Sequence, residues 1–221
     1  MLRYRLLVID HDDTAVDSTA VIHYPAHLEA LRVLRPRLPR PSIEEWWIAN
    51  FEPGIMEHLV QDLGMNEAEL GREFEIWRSF TTSRVPPFFP GFRELLAAFR
   101  ERGGRVAVVS HSERENILRD YRQPGDVAFE PDLVFGWDHD PARRKPDPWP
   151  LQEALARLGA AAGEALVLDD LRPGVLMARA AGIAAAGAGW AHQVPRIRDW
   201  MRQHCTAYFE TIGEFRAFLL G

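Results

Sequence analysis

Short apolar runs recur along the chain at residues 6–9, 106–109, 133–135, 165–168 and 183–186, each followed by turn or polar residues and then by a stretch with helical periodicity. Strands buried on both faces of a parallel sheet read this way, as continuous rather than alternating apolar runs. The helical stretches lie at 92–102, 114–121, 150–158 and 174–181, and residues 207–209 followed by 212–220 add one more strand and helix. Strand alternating with helix predicts an α/β fold: a doubly wound parallel sheet with helices on both faces.

One interval breaks the rhythm. Between about Val16 and Val85 there is no strand pattern. Residues 20–34 carry apolar positions at helical spacing, and Ser42 and Glu45 have the spacing of a capping box leading into Trp46 and Trp47; residues 54–63 and 66–80 follow. Four helices inserted after the first strand predict a lid, joined to the core near residues 14–18 and 86–91, where prolines and a glycine punctuate the chain. The expected division is a core of residues 1–15 and 87–221 with a helical cap of residues 16–86. Ligands of open α/β sheets bind outside the carboxyl ends of the strands, so a lid rooted there is expected to close over them.

Bulk properties narrow the field. A chain of 221 residues is long for one mixed domain and short for two, which suits a core with an insertion. A formal net charge of −6 argues against a nucleic-acid partner, because phosphate backbones reward a basic face. The single cysteine, Cys205, excludes an internal disulfide and suits a reducing compartment. The apolar run 6–9 enters four polar residues at once, unlike a signal peptide, and the apolar stretch 182–190 is about half the ~18 residues of a membrane span. These features point to a cytoplasmic protein without a membrane partner. No heptad run demands an oligomer, so a monomer is the default and a weak homodimer through the lid the alternative.

Polar residues gather at the carboxyl ends of the expected strands: Asp10, Asp12 and Thr14 after the first, Ser110 after the second, Lys145 in the loop after the third, and Asp169 and Asp170 after the fourth. Singly, each has an ordinary structural explanation as turn residue, helix cap or loop cation. Together, in this order, they argue for one site. A carboxylate nucleophile meets a phosphate monoester only when cations offset the repulsion. Asp10, Asp170 and Asp169 form a hard oxygen cluster suited to Mg2+, and Lys145 supplies a second positive charge. Ser110 and the N–H groups opening the next helix would hold phosphate oxygens. Asp12, crowded by carboxylates, would pass a proton to the leaving alkoxide and later take one from water.

The stretch Val8-Ile9-Asp10-His11-Asp12-Asp13-Thr14 resembles the first motif of the haloacid dehalogenase superfamily. Val108-Val109-Ser110 resembles the second, Arg144-Lys145-Pro146 the third, and Val167-Leu168-Asp169-Asp170 through Gly182 the fourth. The resemblance implies a Rossmann-like core with a helical cap and a magnesium-dependent phosphatase. In it Asp10 is the nucleophile, Asp12 the acid and base, and Ser110 and Lys145 hold phosphate. Asp10, Asp170 and the Asp12 carbonyl would hold the metal, and Asp13, Thr14 and His111 would be further phosphate or substrate contacts. Many members carry a second acid four residues after the metal-binding Asp; here that position is Gly174. The adjacent Asp169-Asp170 pair is instead similar to the branch of β-phosphoglucomutase and phosphoglycolate phosphatase, which makes Asp169 a second candidate ligand.

Haloacid dehalogenases lack an acid at the position of Asp12 and need no metal, which sets that chemistry aside. A sugar-phosphate mutase shares the aspartyl phosphate and stays open as an alternative to hydrolysis. A phospho-accepting or phosphate-binding regulatory module without turnover is the alternative of another class, although signalling receivers place their acidic pair before the phosphorylated Asp. The substrate is expected to be a small phosphorylated metabolite, chosen by the lid. Glu52 and Gly54 in the loop 50–54, with His58 beyond it, are the candidate contacts, and Trp46, Trp47 and Trp77 are expected to be lid core.

Overall fold

The computed structural model describes residues 2–125 and 127–221. In chain order the elements are β1 (Leu6–Ile9), a π-helical turn (Thr19–His23) running into α1 (Tyr24–Leu34), α2 (Ile43–Phe51), α3 (Ile55–Glu57) with a second π-helical turn (His58–Asp62), and α4 (Glu67–Ser83). Then come α5 (Phe92–Glu101), β2 (Arg105–Val109), α6 (Arg114–Tyr121), β3 (Leu133–Phe135), α7 (Trp149–Leu158) and β4 (Ala165–Asp169). The chain ends through α8 (Arg172–Ala180), β5 (Ala184–Ala188), α9 (Pro195–His204), β6 (Ala207–Phe209) and α10 (Ile212–Leu220). It divides into two compact units, Met1–Val16 with Phe88–Gly221, and Asp17–Pro87.

The first unit is built on one parallel sheet in the order β3-β2-β1-β4-β5-β6. Ile9 pairs with Val108 on one side and with Leu168 on the other. From β1 the chain steps outward through β2 to β3, then returns to the opposite side of β1 for β4 and steps outward again. This reversal of the strand order makes the carboxyl ends of β1 and β4 the topological switch point. Leu7, Ile9, Val106, Val108, Leu166 and Leu168 share one core with Phe92, Leu95, Leu96 and Phe99 of α5 and with Phe215 and Leu219 of α10. Leu6 and Val8, which alternate with them along β1, are equally buried, so both faces of the sheet are covered.

The second unit is all helix. Capping boxes open α2 and α4: the Ser42 hydroxyl accepts the Glu45 N–H and the Glu45 carboxylate accepts the Ser42 N–H, and Asn66 and Glu69 repeat the exchange. Arg35 at the end of α1 reaches both carboxylate oxygens of Glu69, at 2.6 and 3.0 Å. Trp46 is buried against His27, with ring centroids 4.3 Å apart. Trp77 donates to His23 Nδ1 at 3.0 Å and stacks on Phe74, and Trp47 is half-buried.

The two connections run side by side. Val16 bridges Phe88 in antiparallel fashion, the Phe89 N–H donates to the Ala15 carbonyl at 3.1 Å, and the Asp17 N–H to the Pro87 carbonyl at 2.9 Å. The sequence pattern misses α9 altogether. It also places α8 two residues late, since Pro173 in its first turn needs no intrahelical partner. Among the described residues no helix is long and apolar enough to cross a membrane.

Candidate active site

Asp10 is the first residue beyond β1 and still belongs to the sheet, because its N–H donates to the Leu168 carbonyl at 2.9 Å. The chain then turns tightly. The Ala15 and Val16 N–H groups both reach back to the His11 carbonyl, at 2.9 and 3.1 Å, and the Asp13 N–H donates to the Val16 carbonyl at 2.8 Å. Asp13 takes up the turn with φ 56°, in the left-handed region that a non-glycine residue enters only at an energetic cost. This loop stacks Asp10, Asp12, Asp13 and Thr14 above the end of one strand.

The loop after β2 meets Asp12. The Ser110 and Ser112 hydroxyls donate to Asp12 Oδ2 at 3.1 and 2.7 Å, and Ser110 Oγ accepts the Ser112 N–H at 3.0 Å. Neither serine caps α6, whose N-cap is Glu113 with no side-chain capping bond. Ser112 escapes the sequence reading because a hydroxyl shortly before a helix reads as a cap.

Lys145 lies between two carboxylates, its Nζ 2.7 Å from Asp10 Oδ1 and 2.8 Å from Asp169 Oδ2. Asp169 Oδ1 accepts the Leu171 N–H at 3.0 Å, so both its oxygens are engaged. Asp170 Oδ1 accepts the Thr14 hydroxyl at 3.3 Å, which places Thr14 on a carboxylate of the cluster. His192, another residue the sequence did not single out, has Nε2 3.7 Å from Asp170 Oδ2. Gly174 explains why no acid stands four residues after Asp170: a Cβ there would sit 1.9 Å from Asp169 Oδ2.

Three buried carboxylates thus share the cluster with one ammonium, and two of them are in contact with it. Burial pushes the Asp10 carboxyl well above the ordinary range; Lys145 offsets part of this, and Asp169, Asp170 and Asp12 add to it. Asp170 is raised likewise, by burial and then by Asp169 and Asp13. Burial opposes the Lys145 charge, but Asp10 and Asp169 together outweigh it and raise its pKa. One more cation is what such a cluster calls for. Carboxylate oxygens of Asp10, Asp169 and Asp170 lie within 4.8 Å of one another, and Asp170 Oδ2 is buried without a hydrogen-bond partner. The donor set is all hard oxygen and fits a hard divalent ion.

His111 turns its ring to the Lys145 carbonyl, with Nε2 3.0 Å away. Of the candidates in the helical unit, Glu52 closes α2, Gly54 opens α3 with φ 114°, and His58 Nδ1 meets Asp62 Oδ2 at 2.8 Å.

The chain is similar to known proteins in sequence and in fold. A phosphoglycolate phosphatase from Nitrosococcus oceani is 28% identical over 201 residues, covering 88% of this chain and 88% of its own. One from a plasmid of Cupriavidus necator is 29% identical over 186 residues, covering 80% of this chain and 77% of its own. The crystal structure of a predicted phosphoglycolate phosphatase from Haemophilus somnus has the same fold, with a TM-score of 0.76 at 19% identity over 99% of both chains. The family model for haloacid dehalogenase-like hydrolases matches residues 4–182. The chain belongs to the haloacid dehalogenase-like hydrolases, in the branch that holds the phosphoglycolate phosphatases.

Proposed function

We propose that this phosphatase hydrolyses a small phosphate monoester through an aspartyl phosphate on Asp10, with Asp12 as acid and base and Mg2+ as cofactor. The observation that carries the reading is the pairing of Asp10 with Lys145 at 2.7 Å on the switch point of the sheet, two residues before an Asp12 held by two serine hydroxyls. An Asp10 oxygen attacks phosphorus while Asp12 gives its proton to the departing alkoxide. Asp12 then takes a proton from water, which attacks the same phosphorus, breaks the bond to Asp10 and releases inorganic phosphate. Lys145 keeps a positive charge beside the attacking oxygen throughout, and Asp169 keeps Lys145 in place. Asp10, Asp170 and the Asp12 carbonyl, with Asp169 beside them, would hold Mg2+, which when bound would supply the charge that lets one anion approach another.

The names of the relatives make phosphoglycolate the first ester to test. In this reading the helical unit is the cap, with Glu52, Gly54 and His58 facing the leaving group and Asp13 near the phosphate. The decisive experiment measures phosphate release from phosphoglycolate, p-nitrophenyl phosphate and a panel of sugar phosphates. Each is assayed with Mg2+ or with chelator, for the native protein and Asp10→Asn. Metal-dependent turnover in the native protein and a loss of at least about 10³-fold in the variant are expected from removing a nucleophile. Conversion of one sugar phosphate into another without phosphate release would instead identify a mutase. A single phosphorylation without turnover would identify a regulatory module.

A further inference from the structure

We infer that His111 is a positioning residue: its ring fastens the loop that carries Lys145 and so sets where the Lys145 ammonium stands relative to Asp10. The inference rests on the reading of Lys145 as part of the phosphoryl-transfer site.

Lys145 is not placed by a strand. It stands ten residues beyond Phe135, the last residue of β3, on a loop with a four-carbon stem of its own, and fixing such a chain costs conformational entropy. Two hydrogen bonds tie this loop to the loop after β2. The Trp137 N–H donates to the Ser112 carbonyl at 2.8 Å. That approach requires Gly136, where a Cβ would come within 2.5 Å of the Arg114 nitrogen. The second tie falls on Lys145 itself, at the His111 ring.

The chemistry of this second bond leaves little freedom. A carbonyl oxygen only accepts, so Nε2 carries the proton. Burial, and then the Lys145 charge, lower the pKa of His111 to about 4, so the ring is neutral at working pH and Nδ1 has no proton. A phosphate anion would need a donor, and the ring's one N–H is already given to Lys145. His111 therefore serves the lysine rather than the phosphate. The ring stands edge-on to Trp137, with centroids 5.9 Å apart at 76°, and the Arg144 guanidinium lies 4.0 Å over Trp137. Its direction is thus fixed from behind. One tripeptide, Ser110-His111-Ser112, sets both ends of the proposed chemistry: its hydroxyls hold Asp12 and its ring holds Lys145.

The test compares native protein, His111→Gln, whose amide nitrogen reaches where Nε2 stands, and His111→Leu, with His111→Asn as the short polar variant should Leu fail to fold. Two quantities are read. One is kcat and KM for p-nitrophenyl phosphate with Mg2+. The other is the rate at which a small acetylating reagent modifies Lys145 in the folded protein, followed by peptide mass spectrometry. Loss of the tie is expected to raise the Lys145 modification rate and to lower kcat by about tenfold each, the scale of one hydrogen bond, with a smaller change in KM and with Gln restoring both. Equal Lys145 reactivity in the native and Leu proteins would overturn the inference and leave the phosphatase reading standing. Raised reactivity in a protein that never releases phosphate would sustain the positioning role and remove the phosphatase reading.

Discussion

At Gly174 the helix dispenses with a side chain so that Asp169 can keep the place of its own. A Cβ at this position would lie 1.9 Å from Asp169 Oδ2, the oxygen that holds Lys145. Gly174→Ala is therefore expected to displace Asp169 and lower kcat about 10- to 100-fold, the loss of a charge-assisted contact. Stability should fall by up to about 2 kcal/mol, because overpacking of ~1–3 kcal/mol is only partly offset by the ~1 kcal/mol that alanine gains over glycine in a helix. Parallel kcat and melting measurements check this; an unchanged kcat would mean that the Asp169–Lys145 contact is dispensable. The order of acids and cations at strand ends was legible in the sequence, since a switch point gathers whatever those ends carry. What Thr14, Ser112 and His111 touch was not legible, because a short polar side chain in a loop reads alike whether it caps a helix, binds a ligand or braces a neighbour.

Elements were legible where burial repeats. β1 and β4 are apolar up to their last residues, and Ser42 with Glu45 announces α2. In α9 only Ile197 and Met201 are buried, too few positions to stand out among the arginine, histidine and aspartate neighbours on the same helix. Inside the helical unit, α1 and α4 pack together and carry two groups whose titrations act on stability in opposite directions. Buried His27 on α1 is held neutral, its pKa lowered to about 4 by burial and then by His58. Its contribution to stability is complete above the unfolded value of 6.5 and is lost as pH falls towards 4, a difference on the order of 3 kcal/mol. Half-buried Glu73 on α4 is raised by burial to about 7 from 4.5, so its contribution is present in full below 4.5 and lost as pH rises through 7. Across the overlap the two oppose, so their joint contribution to the pH dependence of the helical unit's urea midpoint should nearly cancel. His27→Gln should unmask Glu73, giving a midpoint that falls as pH rises from about 5 to 7, and Glu73→Gln should give the reverse slope. Parallel slopes in both variants would refute the opposition.

On the scale of the whole chain, one parallel sheet brings segments from residue 10 to residue 170 to a single cluster of three buried carboxylates, two of them paired with one lysine. Such a cluster destabilises the fold that builds it, because like charges are held together away from water. A ligand that binds only the folded state returns that energy, by about 2.7 kcal/mol at a hundredfold excess over its Kd. For a protein of this size ~1 kcal/mol moves the midpoint by about 2–4 °C, so the proposed Mg2+ should raise the melting temperature by about 5–10 °C, and chelator should abolish the rise. The rise belongs to the transition of the core unit, which holds all three acids, and a separate transition of the helical unit should stay where it is. Asp170→Asn is the sharper control. Removing a buried charge should raise the melting temperature of the metal-free protein while erasing its response to Mg2+. A variant that still responded as the native protein does would show that the ion stabilises the chain from somewhere other than this cluster.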